Sequence, residues 1–191
     1  MIPAAAAETL APYRTAYREC LIPSVVLPGA LSEPATAELR EQLAEAGVQP
    51  YWVADRGRYE MNDTLEAPEL FDSLRELAEH LAGAHFTVES ARWLRLRRGS
   101  YALLRDDAPL AERHLELTLD LSVGSCGEAE VIYTHRGQIF FAAPQEPGTL
   151  ALVERGPTVR RYDRYLTHRV GDAEIVRLRM ALGFVESGSP A

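Results

Sequence analysis

The chain has 191 residues, of which 47% are hydrophobic and 25% charged, and a formal net charge of −8. That length suits one domain with a sizeable core, and those fractions are ordinary for a globular protein, so a disordered chain is excluded apart from its ends. The acidic balance argues against a general binder of nucleic acid or of anionic membranes. The two cysteines, Cys20 and Cys126, stand far apart without metal-ligand spacing, which fits a reducing compartment. No apolar run approaches the roughly 18 residues of a membrane span, and the start lacks a basic segment followed by an apolar one; the expected location is cytoplasmic.

In chain order, residues Ala11 to Cys20 suit a short helix, and Leu21 to Leu27 a strand whose Pro23 suggests an edge or an irregular start. Ser32 is a good N-cap, Pro34 sits in the first turn, Leu39 and Leu43 repeat at helical spacing, and Gly47 closes that helix. Tyr51 to Val53 reads as a short strand, and Arg56 to Thr64 as a polar loop. A second helix runs from about Pro68 to Leu81, where Leu70, Leu74, Leu77 and Leu81 form one stripe and Gly83 follows the end.

From Thr87 the period becomes strand-like. Strands are expected at Ala91 to Arg98, Tyr101 to Arg105, His114 to Ser122, Glu128 to Tyr133, Gln138 to Ala142, Thr149 to Val153, Leu166 to Val170 and Glu174 to Phe184. Many short, evenly spaced strands mean a sandwich or a barrel. The expected organisation is a single domain over 1–191, with 1–90 as a helical and strand support region and 91–186 as the β core. Basic residues cluster at Arg92 to Arg98 and Arg155 to Arg169, either as a basic mouth or as solvated strand ends.

Three stretches then look familiar: Leu94 to Asp107, Pro144 to Leu152, and His168 to Phe184. Together with the order of elements they resemble the iron(II)- and 2-oxoglutarate-dependent dioxygenases, in particular the prolyl-hydroxylase-like branch. The resemblance covers roughly Leu21 to Phe184. It implies a mainly β, α+β fold: a double-stranded β-helix, or jelly-roll, with two or three N-terminal helices packed on its major sheet. It also implies iron(II) held by a His-x-Asp pair and a later histidine, and 2-oxoglutarate gripped by an arginine on the last strand. Two ligands one residue apart on a strand project to one face, a third completes a facial triad, and a guanidinium grips a carboxylate at two points.

Carried onto this sequence, Asp106 matches the aspartate of the pair, His168 the second histidine and Arg177 the cosubstrate arginine. Arg179 lies two residues on, and Tyr101 would stand at the pocket rim. The first histidine's position holds Leu104, which offers no lone pair, so the resemblance implies a non-standard metal site. The alternation His114, Glu116, Thr118, Asp120 has two readings, a solvent-exposed strand face or a face pointing into the roll. In the second reading His114 and Glu116 could join His168 as a relocated triad. No catalytic residue is expected beyond the metal site.

Two functions remain open. One is an oxygenase that hydroxylates a C–H bond of a small-molecule or peptide substrate. The other is a jelly-roll binding protein that has lost iron chemistry and keeps an anion site through Arg177 and Arg179. Neither involves nucleic acid or a membrane, and the sequence carries no sign of oligomeric state.

Overall fold

The computed structural model describes residues 7–104, 107 and 111–185, without the side chains of residues 7–9. Its elements are α1 (Ala7–Glu19), β1 (Ser24–Leu27), α2 (Glu33–Glu45), β2 (Gln49–Val53), β3 (Gly57–Asn62), α3 (Pro68–Ala82), β4 (Phe86–Leu96), β5 (Tyr101–Ala102), β6 (His114–Asp120), β7 (Val131–His135), β8 (Gln138–Ala143), β9 (Leu150–Arg155), β10 (Val159–Asp163), a 3-10 turn (His168–Val170) and β11 (Ile175–Phe184).

The strands run β1-β9-β6-β11-β4-β3-β5-β10-β7-β8, with β2 hung on β3. Every pairing is antiparallel. Strands β9, β6, β11 and β4 make one wall, and β5, β10, β7 and β8 the other. The walls face each other, since Tyr133 Oη on β7 donates to Glu116 Oε1 on β6 across 2.7 Å. This is the expected double-stranded β-helix.

The odd positions of β6, Leu115, Leu117 and Leu119, and Leu121 just after it are fully buried outside the roll. They pack with Val176, Leu178, Met180 and Leu182 of β11 under Tyr17 of α1 and Leu74, Ala78 and Leu81 of α3. Burying a leucine contributes about 1.5–3 kcal/mol, so this layer fixes the helices to the major wall. The helix ends follow the sequence. Ser32 Oγ accepts from Ala35 N at 3.4 Å. Gly83 ends α3 in the left-handed region at φ 72° and donates to Glu79 O at 2.8 Å.

Two stretches differ from expectation. Gly57 to Asn62 is a strand, not a loop: it pairs with β2, β4 and β5. Its exposed Arg58 hides an alternation in which Gly57 and Tyr59 are buried, and Glu60 pairs with Arg95 at 2.5 Å. Leu166 to Val170 is not a strand; Thr167 Oγ1 accepts from Arg169 N and closes a 3-10 turn. The strand of that wall is Val159 to Asp163, whose charged sequence conceals it because Arg161 and Asp163 turn inward and are ion-paired.

Candidate functional site

Strand β6 places His114, Glu116, Thr118 and Asp120 on its inner face, and all four are buried. The inward reading of that face holds, and the solvent-exposed reading is corrected. Polar residues survive there because the other strands deliver matching charge. Four carboxylates, Asp107, Glu116, Asp120 and Asp163, meet four guanidiniums, Arg155, Arg161, Arg177 and Arg179. All 20 basic residues apart from histidines are arginine. Guanidinium stays charged when buried and offers a planar fork of donors, which suits an interior built this way.

The network has two ends. At one, Arg155 from β9 bridges Asp107 and Glu116 through separate nitrogens, the Glu116 contact measuring 2.6 Å. Arg161 from β10 also reaches both carboxylates. At the other, Arg177 Nη1 meets Asp163 Oδ1 at 2.6 Å while its Nη2 donates to Ala129 O, and Arg179 Nη2 meets Asp163 Oδ1 at 3.1 Å. Arg177 Nε stands 3.8 Å from Asp120.

Burial pushes Glu116, Asp120 and Asp163 toward the neutral form, and the arginines decide which resist. For Glu116 burial raises the pKa, but Arg161, Arg155, Arg179 and the Tyr133 hydroxyl outweigh it and hold it well below the usual range. Asp163 is lowered in the same way against its burial, by Arg179, Arg177 and Arg161. Asp120 goes the other way: burial exceeds the help of Arg177, and its pKa is raised. Burial, then Arg155, lowers His114, so its imidazole is held neutral.

A cavity of about 320 Å³ opens on the Glu116 end, lined by His114, Glu116, Asp107, Arg155, Arg161 and Arg179 among others. Among the described residues, Arg155 Nε and Arg179 Nε are buried without a hydrogen-bond partner.

The residues expected from the sequence fall in different places. Both Arg177 and Arg179 face the interior. Arg179 lines the cavity, and Arg177 lies deeper and is 1% exposed. His168 is exposed, in an outer depression with Arg98, Gly99, Tyr165 and Arg169. It does not join His114 and Glu116. Gly183 on β11 pairs with His114, whereas Ile175 at the far end pairs with Leu96, just before the Gly99 turn where His168 sits. At a rise of about 3.3 Å per residue the two histidines lie roughly 25 Å apart along the roll. Tyr101 is half-buried, with its ring centroid 6.2 Å from that of Tyr165. Leu104 is 42% exposed, and its carbonyl accepts from Arg160. Asp106 lies outside the described residues.

Asp107 stands out in the sequence only as the carboxylate of a pair shifted by one residue, with Arg105, or as a turn residue; Arg155, Arg161, Asp163 and Tyr133 do not stand out one by one. A signal was present: Arg161 and Asp163 are spaced two apart on a strand, like Arg177 and Arg179, and so share a face.

The described donors do not fit iron(II). Asp107 and Glu116 are the buried carboxylates at the cavity, and both are engaged by Arg155 and Arg161; Glu89 stands exposed at its edge. A divalent cation there would stand among guanidiniums and would have to displace them. Among the described residues no group of three or more His, Cys, Asp or Glu side chains is arranged to hold a metal ion.

No family model matches the sequence, and no curated protein does. Solved structures do. A prolyl-4-hydroxylase of Pseudomonas putida is 14% identical with a TM-score of 0.65, over 94% of this chain and 100% of that one. The viral collagen prolyl hydroxylase of Paramecium Bursaria Chlorella virus-1, in its 2OG complex, is 12% identical with a TM-score of 0.63, over 83% and 94%. An oxidoreductase of the 2OG-Fe(II) oxygenase family from Burkholderia pseudomallei is 16% identical with a TM-score of 0.61, over 91% and 90%. At these identities the likeness is one of fold: the chain is built on the double-stranded β-helix of the 2-oxoglutarate- and iron(II)-dependent oxygenases.

Proposed function

We propose that this chain is a non-catalytic β-helix binding protein that keeps the oxygenase scaffold without iron chemistry and holds a small carboxylate at the mouth of the roll. The observation that carries the reading is the double engagement of Asp107 and Glu116 by Arg155 and Arg161. Carboxylates committed to guanidiniums are poor ligands for a cation. The same cavity is suited to an anion. Its lining carries Arg92, Arg155, Arg161 and Arg179 against Glu89, Asp107 and Glu116, four positive groups to three negative. The partnerless Nε–H groups of Arg155 and Arg179 would gain an acceptor.

Calorimetry tests this in two arms. Titration of iron(II) or manganese(II), with and without 2-oxoglutarate, should give no heat of binding at micromolar metal, and no succinate should form from 2-oxoglutarate under air. Acetate, succinate and 2-oxoglutarate titrated without metal should bind, and Arg179→Gln should weaken that binding by roughly tenfold, as for a lost charge-assisted hydrogen bond. Tight metal binding with succinate release would return the chain to the oxygenases. Silence from all three carboxylates would remove the anion site.

A further inference from the structure

On the outer side of the molecule, α2 and the first turn of α3 flank a groove of about 590 Å³. Its floor is apolar: Leu31 is buried there, and Ala35, Leu39, Ala67 and Leu70 are half-buried. Its rim carries Glu38, Glu66 and Glu69, all exposed. No arginine or histidine lines the groove, and none of the three glutamates is in an ion pair among the described residues. An uncovered apolar floor leaves hydrophobic surface in water, and three unneutralised carboxylates around it repel one another.

We propose that this groove docks an amphipathic helix of a partner protein, with leucine-like side chains on the floor and Lys or Arg against the glutamate rim. Grooves between two helices take such segments through apolar anchors spaced at i, i+3 or i+4, and i+7. Charge decides what flanks those anchors. A second copy of this chain does not supply the occupant from its described helices. α2 holds Glu33, Glu38, Glu41 and Glu45 against Arg40 alone, and Arg40 is bonded to the carbonyls of Leu121 and Ser122. α3 holds Glu69, Asp72, Glu76 and Glu79 against Arg75, which is paired with Asp72 and Glu79. The α1 arginines, Arg14 and Arg18, lie beside Gly83 at the end of α3. The inference is independent of the anion site, which lies within the roll.

The test uses the full chain and two labelled peptides of about 15 residues, long enough for a short helix. Both carry leucines at helical spacing; one is flanked by lysines, the other by glutamates at the same positions. Fluorescence anisotropy should show binding of the lysine peptide only. The triple variant Glu38→Lys/Glu66→Lys/Glu69→Lys should weaken it at least tenfold, about what three reversed rim charges are worth. The matched triple Glu19→Lys/Glu112→Lys/Asp172→Lys makes the same change in net charge on exposed residues away from the groove, and should leave affinity within about threefold. All six residues are exposed, so both variants should fold, which circular dichroism checks. Equal losses in the two variants, equal binding of the two peptides, no binding of the lysine peptide, or self-association through the groove in light scattering would each overturn the proposal.

Discussion

Arg177 and Asp163 sit on facing walls of the roll and meet at 2.6 Å, both almost wholly buried. Asp163 also receives Arg179, so one carboxylate neutralises two guanidiniums carried by β11. Removing it leaves two buried cations with one fewer partner. Asp163→Ala should lower unfolding free energy by about 3–5 kcal/mol, the usual cost of breaking a buried pair from one side. Urea denaturation followed by circular dichroism measures this. A loss below about 1 kcal/mol would mean that the arginines find water or other acceptors.

Acid should destabilise the fold in two stages. His114 is held below the ordinary imidazole value of 6.5 by burial and Arg155, with Glu116 and Glu89 opposing. The stability it contributes is complete above 6.5 and declines as pH falls toward its folded value. Glu116 and Asp163 lie below their ordinary 4.5 and 3.8, so their contributions hold above those values and disappear as pH falls further. Asp120, raised by burial, works in the opposite sense: its contribution is present below 3.8 and is lost as pH rises through its folded value. Urea midpoints taken from about pH 8 down to about pH 3 should fall gently below 6.5 and steeply below 4.5. His114→Gln should remove the gentle part only.

Gly148 makes a close approach that no other residue can make. It adopts φ +75°, and an added Cβ would come within 2.4 Å of the Leu31 carbonyl oxygen. The same residue donates to Asp120 O at 2.9 Å and accepts from Leu31 N at 3.0 Å, tying the start of β9 to β6 and to the chain before α2. Gly148→Ala should therefore cost more than about 1 kcal/mol, with both the left-handed backbone and the clash contributing. Thermal melting is the check, and Gly137→Ala is the comparison. Gly137 has φ +84° but nothing within 4 Å, so it isolates the backbone part.

Leu117 reports on the helical layer. It is fully buried in the cluster that joins β6 to α1 and α3. Leu117→Ala should destabilise by about 2–5 kcal/mol and leave carboxylate binding at the mouth unchanged, because the two faces of β6 are chemically separate. A loss of binding beyond that expected from unfolding would show that the layers are coupled.

The sequence was legible wherever the outer layer set the pattern. The leucines of α3, the Ser32 cap and the apolar alternation of β6 and β11 obey periods of 3.6 and 2, and the structure follows them. The double-stranded β-helix was legible through the resemblance. The interior was not, because its strands break the rule that buried faces are apolar. Val159 to Asp163 looks like a solvated turn until Arg161 and Asp163 find partners from β6 and β11. Those partners lie 45 and 14 residues away in the chain, and pairing over such separations leaves no local trace. The inward face of β6 was ambiguous for the same reason: one strand's charges carry no sign of whether their complement is water or another strand.

β11 hydrogen-bonds on one side to β4 and on the other to β6. It is the last strand described, yet it lies in the middle of the major wall. During synthesis on the ribosome, β4 and β6 must therefore wait as separate ribbons until residues 175–184 emerge. The roll cannot close progressively from its N-terminal side, and its completion is a single late, long-range event. Such topology makes folding slow and leaves the nascent strands dependent on protection from association until the final ribbon slots in.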